Sequence, residues 1–260
     1  VIANLRDLYR YRVLIYTLIV RELKARYRGS VLGFLWSFLN PLLMMSVYAL
    51  VFNYYFRFDI KGYAAYLCCG LLPWIWFSTG ILEGSRSIIV GSNLVNKALF
   101  PAEILPIVSV LSNLVNFLLS LPMLLIILFF YSIKVTPYAL LLVFPVLVQV
   151  LLMTAIVMFL STASVYFRDV EQILANLMSL MFFLCPIIYM VDQIPIMQRY
   201  PILYKGNPIA LVMMSYQDIF FYGRMFDWQS LLIIALCSLV LFFAGYAVFN
   251  RTKDNFPEEV

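Results

Sequence analysis

The side chains able to do chemistry in this sequence point to binding and stacking rather than to bond-making. Seven of its eighteen Lys and Arg lie within residues 5–30: Arg6, Arg10, Arg12, Arg21, Lys24, Arg26 and Arg28. On a helix, at ~100° per residue, Arg6, Arg10, Arg21, Lys24 and Arg28 fall in one stripe. Leu5, Leu8, Tyr9, Ile15, Tyr16, Ile19, Leu23 and Tyr27 fall opposite it. Arg12 and Arg26 interrupt the apolar side, where their long stems can snorkel. A helix with one basic and one apolar face lies in the headgroup plane of a membrane and pairs with anionic lipid.

Aromatic rings are the second resource, at 17% of the chain. In the stretch after the basic segment, Phe34, Phe38, Met45, Tyr48, Phe52 and Phe56 share one helical face, flanked by Ser37 and Tyr55. Further on, Gln172, Asn176, Ser179, Phe182 and Tyr189 mix polar groups with rings. Sugars present C–H faces that stack on rings and hydroxyls that take occasional polar partners, so an uncharged aromatic lining lets a glycan slide without being gripped. Phe34, Phe38, Tyr48, Phe52, Tyr55, Phe182 and Tyr189 are the candidate lining. The plainer reading is that such stripes pack helix on helix, and that Trp36 and Trp228 sit in interfacial belts.

Much chemistry is absent. The chain has no His, and its most apolar stretches hold no carboxylate, so general acid–base catalysis has little to work with. Cys68, Cys69, Cys185 and Cys237 lack metal-ligand spacing and read as small packing residues. No Gly-x-x-x-x-Gly-Lys-Ser/Thr loop occurs, so ATP is not bound by that route. Ion-coupled carriers need ionisable groups at mid-membrane, and none is present in the apolar stretches. Work against a gradient must then be driven by another polypeptide.

The elements that position these residues follow from composition. With 64% hydrophobic and 12% charged residues and a mean hydropathy of +0.95, the chain is an all-α membrane protein. Six charge-free stretches meet the ~20 residues a bilayer core needs. They are 31–56, 63–82, 104–130, 138–165, 172–190 and 228–250, together a transmembrane domain over 31–250. Pro41, Pro73, Pro106, Pro122, Pro145 and Pro186 read as kinks within them. Residues 1–30 form the amphipathic interface helix, and no cleavable signal pattern precedes residue 31.

Six crossings put both termini, including the tail 251–260, on the cytoplasmic side. That side then holds twelve Lys and Arg against six outside, in the sense of the positive-inside rule. The net charge of +5 is a membrane-surface signal, not a nucleic-acid one. The external region 191–227 is long. Asn207 and Pro208 read as the cap and first residue of a helix ending near Gly223. At ~14 residues, or ~21 Å, that helix is short for a crossing. It reads as a re-entrant gate helix, with a seventh crossing as the alternative. Two cytoplasmic segments remain: 83–103, with Arg86, Ser87, Asn93, Asn96 and Lys97, and the turn 166–171. They are either plain connectors or docking elements.

Several short motifs occur in order around these stretches. They are Tyr27-Arg28-Gly29-Ser30-Val31-Leu32-Gly33-Phe34-Leu35-Trp36 and Asn40-Pro41-Leu42, then Asn93-Leu94-Val95-Asn96-Lys97 and Phe100-Pro101-Ala102-Glu103-Ile104-Leu105-Pro106, and last Phe167-Arg168-Asp169-Val170 and Asn207-Pro208. In order and spacing the whole chain resembles the permease subunits of type-2 ABC exporters for cell-surface polysaccharide, the Wzm-like O-antigen permeases with their capsule and teichoic-acid relatives. The resemblance implies a bacterial inner-membrane homodimer carrying lipid-linked polysaccharide, with two copies of an ATPase subunit that binds ATP and Mg. This chain would itself bind no cofactor and catalyse nothing. It also implies that 83–103 is a coupling helix seated in the ATPase. Arg86, Asn93, Asn96, Lys97, Phe100, Glu103, Arg168 and Asp169 are the candidate coupling residues. The rival functions are a drug or lipid exporter of the same architecture, an ion-coupled flippase, and a membrane enzyme, for which no clustered polar pocket is legible.

Overall fold

Backbone in an apolar medium has no water to pair with, so long charge-free runs must close their hydrogen bonds within helices or a closed barrel. The computed structural model, which describes residues 11–26, 28–51, 62–95 and 100–259, is helical, with no strand among the described residues. Arg6, Arg10, Phe52, Tyr55, Asn96 and Lys97, and the side chain of Phe34, lie outside what is described.

The first element among the described residues is α1 (Arg12–Arg26). Gly29 and Gly33, at φ +78° and +48°, take the left-handed conformation that turns it into α2 (Trp36–Ala49). Next come α3 (Tyr63–Ser85), the short α4 (Ser87–Val90) and α5 (Ser92–Val95), and α6 (Ile104–Phe130). A 3-10 turn at Pro137–Leu142 leads into α7 (Val143–Tyr166), followed by α8 (Val170–Leu184). Three elements fill the next loop: α9 (Pro195–Arg199), α10 (Ile202–Lys205) and α11 (Pro208–Phe220). The last are α12 (Trp228–Thr252) and α13 (Phe256–Glu259).

Among the described residues, four helical stretches are long and apolar enough to cross a membrane by length and composition: Tyr63–Ser85, Ile104–Phe130, Pro137–Tyr166 and Trp228–Asn255. The most apolar window of α3 is 78% buried, against 33%, 33% and 28% for the other three. So α3 is the axis of the bundle, and α6, α7 and α12 turn their outer faces to the surroundings. Packing at that axis rests on Gly80 and Gly84, four residues apart on α3. A Cβ on Gly84 would meet Val157 of α7 at 2.5 Å, and one on Gly80 would collide with Met153. This is the small-xxx-small approach of membrane helices. Gly245 brings α12 against Phe159 and the Ala155 carbonyl of α7 in the same way.

One of the expected stretches is shorter as a helix: α8 has 15 residues. The segment expected over 172–190 begins at Val170 and stops at Leu184 because of Pro186. Proline has no N–H and drives the residue before it out of the α region, and Cys185 has ψ 138°. Pro186 is therefore an end, not a kink. Pro41, Pro73 and Pro122 do lie inside helices, and Pro106 and Pro145 lie in first turns. The irregular backbone after Leu184 is hydrogen-bonded from neighbouring helices. Tyr63 donates to the Ile188 carbonyl at 2.8 Å, and Tyr66 to those of Pro186 (3.0 Å) and Tyr189 (2.8 Å). Gln217 of α11 also donates to Pro186, at 2.8 Å.

The cap at Asn207 forms as its sequence predicts: its side-chain oxygen accepts from the amides of Ile209 and Ala210, with Pro208 as first residue. α11 is no surface loop. Ala210, Met213 and Tyr216 are fully buried, and Tyr216 meets Phe117, midway along α6, at 5.7 Å. Three of the four cysteines are buried and none is in a disulfide; Cys237 is exposed, so it is not a core residue.

Candidate functional site

The aromatic face of α2 meets α3 and α8 across an open groove of about 930 Å³. Tyr48 and Phe182 lie with ring centroids 5.4 Å apart, and Trp74 of α3 is 5.7 Å from Phe182. Asn40, Ser78, Thr79 and Ser179 supply the polar points, and among the described residues no charged side chain is in the lining. Of the candidate lining residues, the structure thus brings Tyr48 and Phe182 together. Phe38 instead packs half-buried against the central core. Tyr189 lies beyond the end of α8, where its hydroxyl donates to the Phe183 carbonyl at 3.0 Å. That carbonyl would have paired with Ile187 in a longer helix; the Ile187 amide donates to Cys185 instead. Trp74 and Ser78 were not legible as lining, because α3 is apolar on every side and shows no face.

The opposite resource, charge, gathers at the end of the bundle where α1 docks. Leu18 is buried, with Leu14, Ile15 and Ile19, against Ile104 and Val108 of α6. Arg21, Lys24 and Arg28 point outward. Of the expected basic stripe, Arg6 and Arg10 lie outside the described residues, and of the expected apolar members Tyr16 is exposed, while Leu18 is the buried contact. Arg26 does not snorkel. It reaches Glu83 of α3 at 2.5 Å and Asn113 of α6 at 3.1 Å. Asn113 in turn donates to Glu83 at 2.7 Å and to the Ser109 carbonyl at 3.0 Å. Glu22 accepts from Ser112 at 2.9 Å. Burial pushes the Glu22 carboxyl above its ordinary value, and the Ser112 bond pulls partly against that. This set ties α1 to α3 and α6. No local pattern signals it, since the two partners of Arg26 are 57 and 87 residues away in the chain.

The segment 83–103 is not one continuous helix. α3 runs on to Ser85, and α4 and α5 are separate turns parted by Gly91, against which Leu105 packs. Arg86 pairs at 3.0 Å with Glu171, so this segment and the 166–171 turn are joined. Asn93, Arg168 and Asp169 are exposed, as are the apolar Ile89, Val90 and Phe167. Phe100 and Glu103 face inward. Phe100 packs on the clusters around Ile88 and Leu18, and buried Glu103 has Lys253 of the tail at 3.9 Å. These two brace the segment rather than present a surface.

Residues 13–221 match the ABC-2 type transporter family. Along its whole length the chain is 40% identical over 259 residues to a Myxococcus xanthus protein named O-antigen export system permease protein RfbA, covering all of both chains. It is 31% identical over 240 residues to a Klebsiella pneumoniae protein of the same name, covering 92% of this chain and 91% of that one. A bundle around one buried helix, an uncharged aromatic groove and a charged end fit those matches, and the chain belongs to the ABC-2 type transporter family.

Proposed function

We propose that this chain is the membrane permease subunit of an ATP-driven exporter that carries lipid-linked polysaccharide of the O-antigen kind across the bacterial inner membrane. The observation that carries the reading is the end-to-end 40% identity with a protein named for O-antigen export. The groove supports it: rings for the sugar faces, a few hydroxyls and an amide for sugar hydroxyls, and no charge to hold a passing polymer. In this reading there are six crossings, with α8 as the short one. α8 is completed by the irregular 185–190 backbone, and α9 to α11 form a re-entrant external gate. Both termini are cytoplasmic, and the basic stripe of α1 rests on anionic lipid.

Two copies of the chain meet along α2 and α8, where Met44, Val47 and Phe183 of the groove lining are exposed, so that two grooves face each other. Two ATPase subunits, which bind the ATP and Mg, dock below on α4, α5 and the 166–171 turn. The chain itself is no enzyme and needs no cofactor. The Arg86–Glu171 pair makes the two docking segments move together, and the Arg26–Glu83–Asn113 set passes that movement to α1, α3 and α6 as near-rigid bodies.

Deleting the gene in its host tests the assignment. Surface polysaccharide should vanish while lipid-linked polymer collects in the inner membrane, and the intact chain should reverse both. Undiminished surface polysaccharide would refute it.

A further inference from the structure

The segment proposed for docking has little stiffness of its own. α4 and α5 are single turns of four residues each, and isolated helices shorter than ~12 residues are marginal in water. A segment that transmits a push from outside must therefore be backed by packing on its inner side. Ile88 of α4 is fully buried on that side, and Val95 of α5 is buried too.

The backing comes in part from the far end of the chain. α12 ends at Thr252, a 3-10 turn follows over Lys253–Asn255, and α13 starts at Phe256. Chain ends rich in charge fray unless something ties them down, and Arg251, Asp254, Asn255 and Glu259 are exposed here. Phe256 is the tie. It is fully buried and lies edge-on to Phe249 of α12, with ring centroids 5.2 Å apart. It belongs to one cluster with Ile88, Val95, Leu105 of α6 and Met158 of α7, and α13 lies against both α5 and α7. Charge holds the same turn. Lys253 stands 3.9 Å from Glu103 at the start of α6. The second carboxylate oxygen of Glu103 is buried and has no hydrogen-bond partner among the described residues, so Lys253 offsets a carboxylate with little other compensation.

Packed interiors have low compressibility and pass strain on. With the ring in place, α4 and α5 cannot sink inward without moving the long helices behind them. With the ring removed, the same push closes a void. Resting on the exporter reading, we infer that Phe256 is a positioning residue for coupling: its ring backs the docking segment, so that the thrust of the ATPase moves α6, α7 and α12 instead of being absorbed locally.

Proteoliposomes holding the permease–ATPase complex test this, with ATP hydrolysis and glycan passage scored together. Phe256→Ala should keep the ATPase bound and hydrolysing, because the exposed docking residues are untouched. Glycan passed per ATP should fall roughly tenfold, within the range of coupling between sites. Phe256→Leu, which refills most of the space, should recover most of the parental ratio. Leu231→Ala, a lesion in the central core near the other end of α12, should lower the melting temperature but leave the ratio near the parental one. If Phe256→Ala does not assemble, Phe256→Val takes its place in the same comparison. A parental ratio in the Phe256 variants, an equal fall in Leu231→Ala, or loss of the ATPase from the complex overturns the inference and leaves glycan export standing. A parent complex that passes no glycan with ATP overturns both.

Discussion

At the residue scale, the bundle's charged end depends on a few groups that each serve two partners. Asn113 is the clearest: its amide reaches Glu83 and its oxygen accepts from Arg26 and, at 3.3 Å, Thr79. Replacing Glu83 by Gln leaves Arg26 with its charge uncompensated in a half-shielded site. Hydrogen bonds to charged groups contribute ~1.5–3 kcal/mol, so Glu83→Gln should destabilise the detergent-solubilised chain by an amount of that order, seen as a lower melting temperature. Exchange of α1 amides should rise first. Asp227 is a different case. It caps α12 through the Ser230 amide and hydroxyl, at 3.3 and 2.6 Å. The hydroxyl bond, above all, holds its carboxyl below the ordinary 3.8. A depressed carboxyl stabilises the folded chain above its unfolded value and loses that as pH falls through the folded one. Asp227→Ala should therefore cost ~1 kcal/mol at neutral pH, and the difference from the parent should shrink below pH 3.8. Glu22 runs the other way. Its raised carboxyl contributes stability that is full below 4.5 and lost as pH rises through the folded value. Glu22→Gln should flatten the pH profile of melting above 4.5.

At the element scale, the contact between α3 and α7 fixes the axis. Gly84 faces Val157, whose branched side chain is stiff at χ1, whereas Gly80 faces the flexible tip of Met153. Gly84→Leu should overpack the pair and cost ~1–3 kcal/mol, seen as lower yield and melting temperature. Gly80→Ala should be milder, because Met153 swings aside. Equal effects would show that this contact does not set the spacing. How far these elements were legible follows from the same physics. Charge-free runs gave α3, α6, α7 and α12 closely, because an apolar run of ~20 residues is long for a barrel strand and pairs its backbone as a helix. The Asn207–Pro208 start of α11 was legible because a cap is a local device. The stop at Leu184 was not, because a proline in an apolar run reads equally as kink or end. The Tyr63, Tyr66 and Gln217 hydroxyl and amide groups that tolerate this end sit on other helices. Tyr48 and Phe182 were legible as rings on the right faces. Trp74 was not, since a helix buried on all sides shows no periodicity. The Arg26–Glu83–Asn113 set needed the fold itself.

At the scale of the whole molecule, the account is one of force arriving from outside. The end proposed for docking presents Ile89, Val90 and Phe167 with Arg86, Arg168 and Glu171, apolar and charged groups side by side. An exposed ion pair such as Arg86–Glu171 adds only ~0–1 kcal/mol to stability. Arg86→Glu should therefore leave the melting temperature nearly unchanged while lowering export relative to ATP hydrolysis. Arg168→Glu should do the same. The most direct measurement compares the purified chain alone with the chain plus its ATPase in proteoliposomes, scoring the passage of lipid-linked glycan to the far leaflet. The account predicts passage only with the ATPase and hydrolysable ATP, in a complex holding the two subunits in equal number. Passage by the chain alone, or passage driven by a proton gradient without ATP, would contradict it.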